Sequence, residues 1–193
     1  MAAPKPLALA LLLSAVAPAG CVRSRREVML IVTTNISCPT LDRVNIRVSR
    51  GAETTPTFDR VFALTGDGCS TAMNLGLPTI PLGVRMGAAQ EYRLGIVDGR
   101  RTSDRVRIEL IALGQTMLTT VVETDFVDDK VYAVPIQLAT QCQGFNSCPS
   151  GYTCRTVSDN SGPVCGSIYR TPGTVGRIMA TSSIVSDDEV SLD

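Results

Sequence analysis

Between residues 28 and 140, apolar and polar side chains alternate at a period of two in run after run, and this pattern dictates strands. Glu27 to Thr34 reads EVMLIVTT, apolar and β-branched. Val44, Ile46 and Val48 alternate with Asn45, Arg47 and Ser49. Further runs are Phe58 to Leu64, Ile80 to Met86, Tyr92 to Ile96, Val106 to Leu110, Thr116 to Phe126 and Val131 to Leu138. Turn residues separate them, as in Ser49-Arg50-Gly51, Gly66-Asp67-Gly68, Leu77-Pro78, Asp98-Gly99 and Asp128-Asp129. No stretch reads as helix. The expected fold class is all-β: an antiparallel β-sandwich of about 7–8 strands, each with one apolar face inward, followed by a small disulfide-rich module. A closed barrel is the alternative. A transmembrane barrel needs aromatic girdles, which 4 Tyr, 4 Phe and no Trp do not supply.

Seven cysteines set the second constraint: Cys21, Cys38, Cys69, Cys142, Cys148, Cys154 and Cys165. Cys21 follows an N-terminal segment with the layout of an export signal. Lys5 supplies charge, Leu7 to Val16 (LALALLLSAV) is apolar, and Ala17-Pro18-Ala19-Gly20 is small. The apolar run is too short for a membrane span, which takes about 20 residues. Residues 1–20 therefore read as a lipoprotein signal peptide, with Cys21 as the lipid-bearing residue. Pro18 stands where such signals usually carry Leu, and ordinary cleavage after Ala19 is the competing reading. Cysteine parity decides between them, because removing Cys21 leaves an even number for disulfides in an oxidising compartment.

Cys38 and Cys69 form the natural pair within the strand region. The other four cysteines lie close together and allow three pairings. The interleaved one, Cys142–Cys154 with Cys148–Cys165, is the expectation, and the other two remain alternatives. Zinc is a rival reading for this cluster, but the short Cys-x2-4-Cys hooks it favours are missing.

These features divide the chain into a signal peptide (1–20), an anchor and linker (21–27), a sandwich (28–140), a cysteine-rich module (141–168) and a weakly ordered tail (169–193). Arg23, Arg25 and Arg26 follow the anchor, either as solvated linker or in contact with lipid headgroups. Val22 after the cysteine, in place of the Asp that retains lipoproteins at the inner membrane, points to the outer membrane.

Composition narrows the chemistry. Histidine is absent, which removes Ser–His and Cys–His nucleophile pairs, and no acid–base constellation stands in its place. With 18 basic against 18 acidic residues, nothing suggests a nucleic-acid footprint. Asp98, Asp125, Asp128 and Asp129 sit at turns, where calcium ligation competes with ordinary turn chemistry; no Asp-x-Asp-x-Asp-Gly loop appears. The sequon Asn35-Ile36-Ser37 reads as coincidental, and Asp187-Asp188-Glu189 as part of a solvated tail. Tyr152 is expected to plug the small module.

The chain resembles a loosely defined group of predicted surface lipoproteins from GC-rich Gram-negative bacteria of the myxobacterial type. The resemblance covers roughly residues 21–168. It rests on the lipidated cysteine, the early strand Val28-Met29-Leu30-Ile31-Val32, the step Leu41-Asp42-Arg43-Val44 and the Leu77-Pro78 step. The hairpin Phe126-Val127-Asp128-Asp129-Lys130 and the distinctive string Cys148-Pro149-Ser150-Gly151-Tyr152-Thr153-Cys154 complete it. The interval from Cys154 to Cys165 is longer than is usual in the group.

The resemblance implies architecture and location, and no activity. The expected function is non-catalytic: a lipoprotein anchored in the bilayer through acylated Cys21, without cofactor or metal, with a structural or interaction role at the cell envelope. The expected partner is an envelope or extracellular protein, and nucleic acid is not one. The alternatives are a surface module binding protein or glycan, and a protease-inhibitor-like use of the loop between Arg155 and Val164.

Overall fold

The uninterrupted apolar run Val28–Val32 cannot satisfy a strand with one wet face, and β1 is accordingly a central strand. The computed structural model describes residues 26–38, 40–51, 53–65, 69, 76–82, 84–85, 88–89, 91–98, 105–128, 130–145, 147–157, 162–172 and 188–192. Among them the strands are β1 (Glu27–Thr34), β2 (Leu41–Arg50), β3 (Phe58–Leu64), β4 (Thr79–Ile80), β5 (Val84–Arg85), β6 (Ala88–Ala89), β7 (Glu91–Val97), β8 (Arg105–Gly114), β9 (Leu118–Asp125), β10 (Val131–Leu138), β11 (Tyr152–Arg155), β12 (Val164–Ser167) and β13 (Asp188–Ser191). The described residues contain no α-helix, only a 3-10 turn at Thr140–Cys142.

Two sheets share one apolar core. The first runs β10-β1-β7-β13 and the second β4-β3-β2-β8-β9. Val28, Leu30 and Val32 of β1 and Tyr92, Leu94 and Ile96 of β7 point into the core, as do Val44, Ile46 and Val48 of β2 and Val106, Ile108 and Leu110 of β8. Phe62 of β3 and Tyr92 of β7 meet across it, ring centroids 5.8 Å apart. The core is otherwise largely aliphatic, as a composition with 4% aromatics requires.

The antiparallel expectation needs correction, because the sheets are mixed. β1 pairs with β7 antiparallel but with β10 parallel, from Glu27↔Val131 to Thr34↔Leu138. β13 lies parallel to β7, and β4 parallel to β3. The physical reason lies in the residues. Parallel strands are usually covered on both faces and read as continuous apolar runs. In this pair Met29, Val131 and Ala133, on the face away from the core, are buried as well. The Ile80 to Met86 run is also not one strand. It divides into β4 and β5 around Pro81, which has no N–H to donate to a ladder.

The residues beyond 168 are not uniformly a loose tail. Tyr169 forms a bridge with Glu123, and β13 extends the first sheet with Val190 and Leu192 buried. Glu189 is therefore a sheet residue; Asp187 lies outside the described residues.

Three disulfides are present: Cys38–Cys69, Cys142–Cys154 and Cys148–Cys165, with Cα separations of 5.0, 5.8 and 5.4 Å. The last two hold the β11–β12 hairpin, and Cys142 and Cys154 join the main core cluster. The hairpin also bonds to β9 through Val121 N–H to Thr153 Oγ1 (3.2 Å) and Glu123 N–H to the Ile168 carbonyl (2.8 Å). Tyr152 is not its plug. The ring is 50% exposed, while Thr153 and Cys154 turn inward instead.

The β2–β8 ladder shifts register between Leu41 and Arg43, opposite Gly114, where Gln115 N–H bonds the Thr40 carbonyl at 3.1 Å. An added Cβ at Gly114 would land on that carbonyl and come within 2.9 Å of Leu41 Cα. Backbone cannot swing away as a side chain can. Gly114→Ala is expected to lower stability by about 1–3 kcal/mol, read as an earlier urea midpoint at unchanged slope.

Candidate functional site

The outward-facing positions of the five-stranded sheet carry charges of opposite sign on neighbouring strands. Arg47 of β2 lies opposite Asp59 of β3 and Glu109 of β8, its guanidinium 3.2 and 3.7 Å from their carboxylates. Arg107 of β8 pairs with Glu123 of β9 at 2.7 Å. Arg105 pairs with Asp125 at 3.3 Å. The strand period places these residues together, since each is two positions from the next along its strand.

Between these rows and the β2–β3 turn lies a groove of about 610 Å³. Arg47 and Arg107 line it together with Glu53, Asp59, Glu109 and Glu123, so two cations face four carboxylates. The groove can hydrogen-bond a polar partner and carries a mild negative bias. Sequence reasoning missed this groove, although the signal existed: Arg47, Arg107, Glu109 and Glu123 occupy alternate positions of three strands.

Of the aspartates singled out at turns, Asp98, Asp125 and Asp128 pair with arginines of the protein itself. Asp98 follows β7 and has a side chain only 1% exposed, with Arg26 at 3.2 Å and Arg50 at 3.8 Å. Arg26 is 6% exposed, also reaches Asp128 at 3.1 Å, and lies over the Phe126 ring at 5.8 Å. The linker reading of Arg26 is thereby corrected. Its guanidinium is held inside the fold by Asp98 and Asp128. Glu27, assigned to the same linker, is the first residue of β1. Among the described residues no three His, Cys, Asp or Glu side chains converge as a metal would need.

Asp125 binds the Tyr169 hydroxyl at 2.5 Å, and Arg105 lies 4.8 Å from the Tyr169 ring. The hydrogen bond to Asp125 raises the Tyr169 hydroxyl above its ordinary pKa, with burial and the Asp125 charge adding to it. Asn35 of the sequon is engaged as well, accepting from the Thr140 N–H at 2.8 Å. Arg155, at the start of the loop considered for protease inhibition, sits in β11 opposite Val164 and donates to the Ser167 carbonyl at 3.3 Å. Cys21, Arg23, Arg25, Gly66-Asp67-Gly68 and Asp129 lie outside the described residues.

Three outcomes follow from these clusters. Asp98→Ala leaves Arg26 and Arg50 without their shared carboxylate, and should cost about 3–5 kcal/mol in urea unfolding. Asp128→Ala, at an exposed carboxylate, should cost about 1 kcal/mol or less. The raised Tyr169 pKa favours the protonated hydroxyl in the folded state. Its contribution is full below the ordinary tyrosine pKa of about 10 and fades as pH rises through the higher folded value. The urea midpoint of the wild type should therefore fall more steeply across that alkaline range than that of Tyr169→Phe. No protein-family model, curated protein or solved structure matches the chain.

Proposed function

We propose that the chain is an exported, non-catalytic lipoprotein of the cell envelope, tethered to the outer membrane by acyl chains on Cys21. Its folded part would be a two-layer sandwich with an attached cysteine-rich hairpin, serving a structural or interaction role. The observation that carries this reading is the pairing of the cysteines. Six of the seven are used in three disulfides, and the remaining one stands directly after the small residues of the signal segment. A diacylglyceryl thioether at Cys21, with further acylation of the freed amino group, would hold the protein durably, since each buried methylene contributes about 0.8 kcal/mol. The similarity to the myxobacterial-type surface lipoproteins supports the same reading.

The reading orients the molecule. Residues 22–25 separate Cys21 from Arg26, and that interval spans at most about 18 Å even when fully extended. The end of the sheets where β1 and β10 begin, with Asp98 and Asp128, would face the bilayer. The opposite end, with Met117 65% exposed beyond β8, would face outward. The charged groove on the five-stranded sheet favours a binding role, and the tethering of Arg155 to its own hairpin speaks against the inhibitor version.

Replacing Cys21 by Ser tests the proposal. The wild type should fractionate with membranes, require detergent for release, and have an intact mass carrying acyl chains and three disulfides. Cys21→Ser should be found in the soluble extract or as unprocessed precursor. Equal detergent dependence with unchanged processing would overturn the lipid reading.

A further inference from the structure

Between the edges of the two sheets, beneath the β11–β12 hairpin, lies a second concavity of about 350 Å³ whose charge is of one sign. Among the described residues, Arg155 and Arg170 line it with Thr33, Thr120, Gln137 and Thr156 beside them, and no aspartate or glutamate does. This is unusual for the molecule. On the sheet faces guanidiniums meet carboxylates, as in Arg47–Asp59, Arg105–Asp125 and Arg107–Glu123. Among the described residues neither Arg155 nor Arg170 has a carboxylate partner.

Both arginines are held in place. Arg170 donates its backbone N–H to the Glu123 carbonyl at 2.8 Å, and its own carbonyl accepts the Thr124 hydroxyl at 2.9 Å. Its Nη1 donates to the Pro135 carbonyl at 2.6 Å, while its Nε is buried without a hydrogen-bond acceptor. Arg155 lies across Gly166, where any Cβ would collide with its guanidinium. Burial, and secondarily the neighbouring Arg155 charge, push the Arg170 guanidinium below its ordinary pKa. Two cations held at one cavity, with no carboxylate among the described residues to balance them, are costly, and an arriving anion offsets that cost.

We propose that this crevice is a binding site for a phosphate-type oxyanion, either inorganic phosphate or a phosphomonoester small enough for the cavity. Guanidinium forks match phosphate oxygens in pairs, and two fixed positive charges balance a dianion. The Thr33, Thr120 and Thr156 hydroxyls and the Gln137 amide offer further polar groups at the same wall. The cavity borders Thr33 and Pro135–Gln137, in the later halves of the parallel strands β1 and β10. It is therefore remote from the end where the chain enters the fold, a position that suits a soluble phosphate better than a headgroup of the anchoring bilayer.

Thermal melting of the full-length exported protein in rising inorganic phosphate, at constant ionic strength, tests this, together with 31P line broadening. Tm should rise saturably with phosphate and not with chloride, and the 31P signal should broaden on adding protein. Arg155→Gln, on a half-exposed hairpin position, should fold and raise the half-saturating phosphate concentration about tenfold or more. Arg170→Gln should abolish the response. If phosphate acts no differently from chloride, or if Arg155→Gln responds as the wild type does, the site is refuted. Vesicles of phosphatidylglycerol against phosphatidylcholine, with Cys21→Ser protein, separate the two phosphate sources. Arg155-dependent sedimentation with the anionic vesicles, in the absence of any response to free phosphate, would overturn the soluble-phosphate assignment.

Discussion

Two strands at one side of the molecule, β9 and β10, end their sheets without a further long strand beside them, and the fold depends on how those edges are closed. An open edge presents unpaired N–H and C=O groups to any passing strand. Pro135 blunts β10 from within, having no N–H to offer. The rest is covered by the β11–β12 hairpin and residues 168–170. Ile168 and Arg170 bond both backbone groups of Glu123 on β9, and the Arg170 side chain reaches across to β10. Cys142–Cys154 fastens this cover to the core where β10 ends. The cysteine-rich hairpin is thus continuous with the sandwich in its energetics. Thr153 and Cys154 are buried against the sheets, which is why Tyr152 can be left outside.

The strand runs were legible because each alternates or is wholly apolar, and EVMLIVTT, FDRVFAL and VYAVPIQL coincide with β1, β3 and β10 residue for residue. Direction was not legible from alternation alone. The cue was the unbroken apolar run of β1, covered on both faces and therefore suited to a parallel neighbour. The cysteines were legible as three pairs because parity and spacing restrict them. The charge clusters were not. Arg26 and Asp98 lie 72 positions apart, and neither a linker arginine nor a turn aspartate announces a buried ion pair. The two-arginine crevice is equally hidden, since Arg155 and Arg170 meet only through the docking of their hairpin onto β9.

The distribution of arginine charge separates three environments. On the open sheet face, Arg47 and Arg107 sit in half-exposed pairs that contribute little to stability. At the base of β1, Arg26 and Arg50 share a carboxylate out of water, where the same pairing fixes the chain's entry into the first sheet. Under the hairpin, Arg155 and Arg170 have backbone carbonyls as acceptors and, among the described residues, no carboxylate partner. One residue type therefore marks a wetted face, a structural clamp and a crevice lined by two guanidiniums, and only burial and partners distinguish them.

The register Glu27↔Val131 has a temporal meaning. β1 emerges from synthesis among the first segments of the fold, yet its parallel neighbour is made about a hundred residues later, and β7 lies well along the way. Until both arrive, the apolar run Val28–Val32 waits with the two hydrogen-bonding rims of its strand bare. Pairing over such sequence distances is slow because loop-closure entropy is spent before any contact repays it. A nascent chain of this kind leaves its leading strand open to wrong pairings until the last third of the polypeptide has been made.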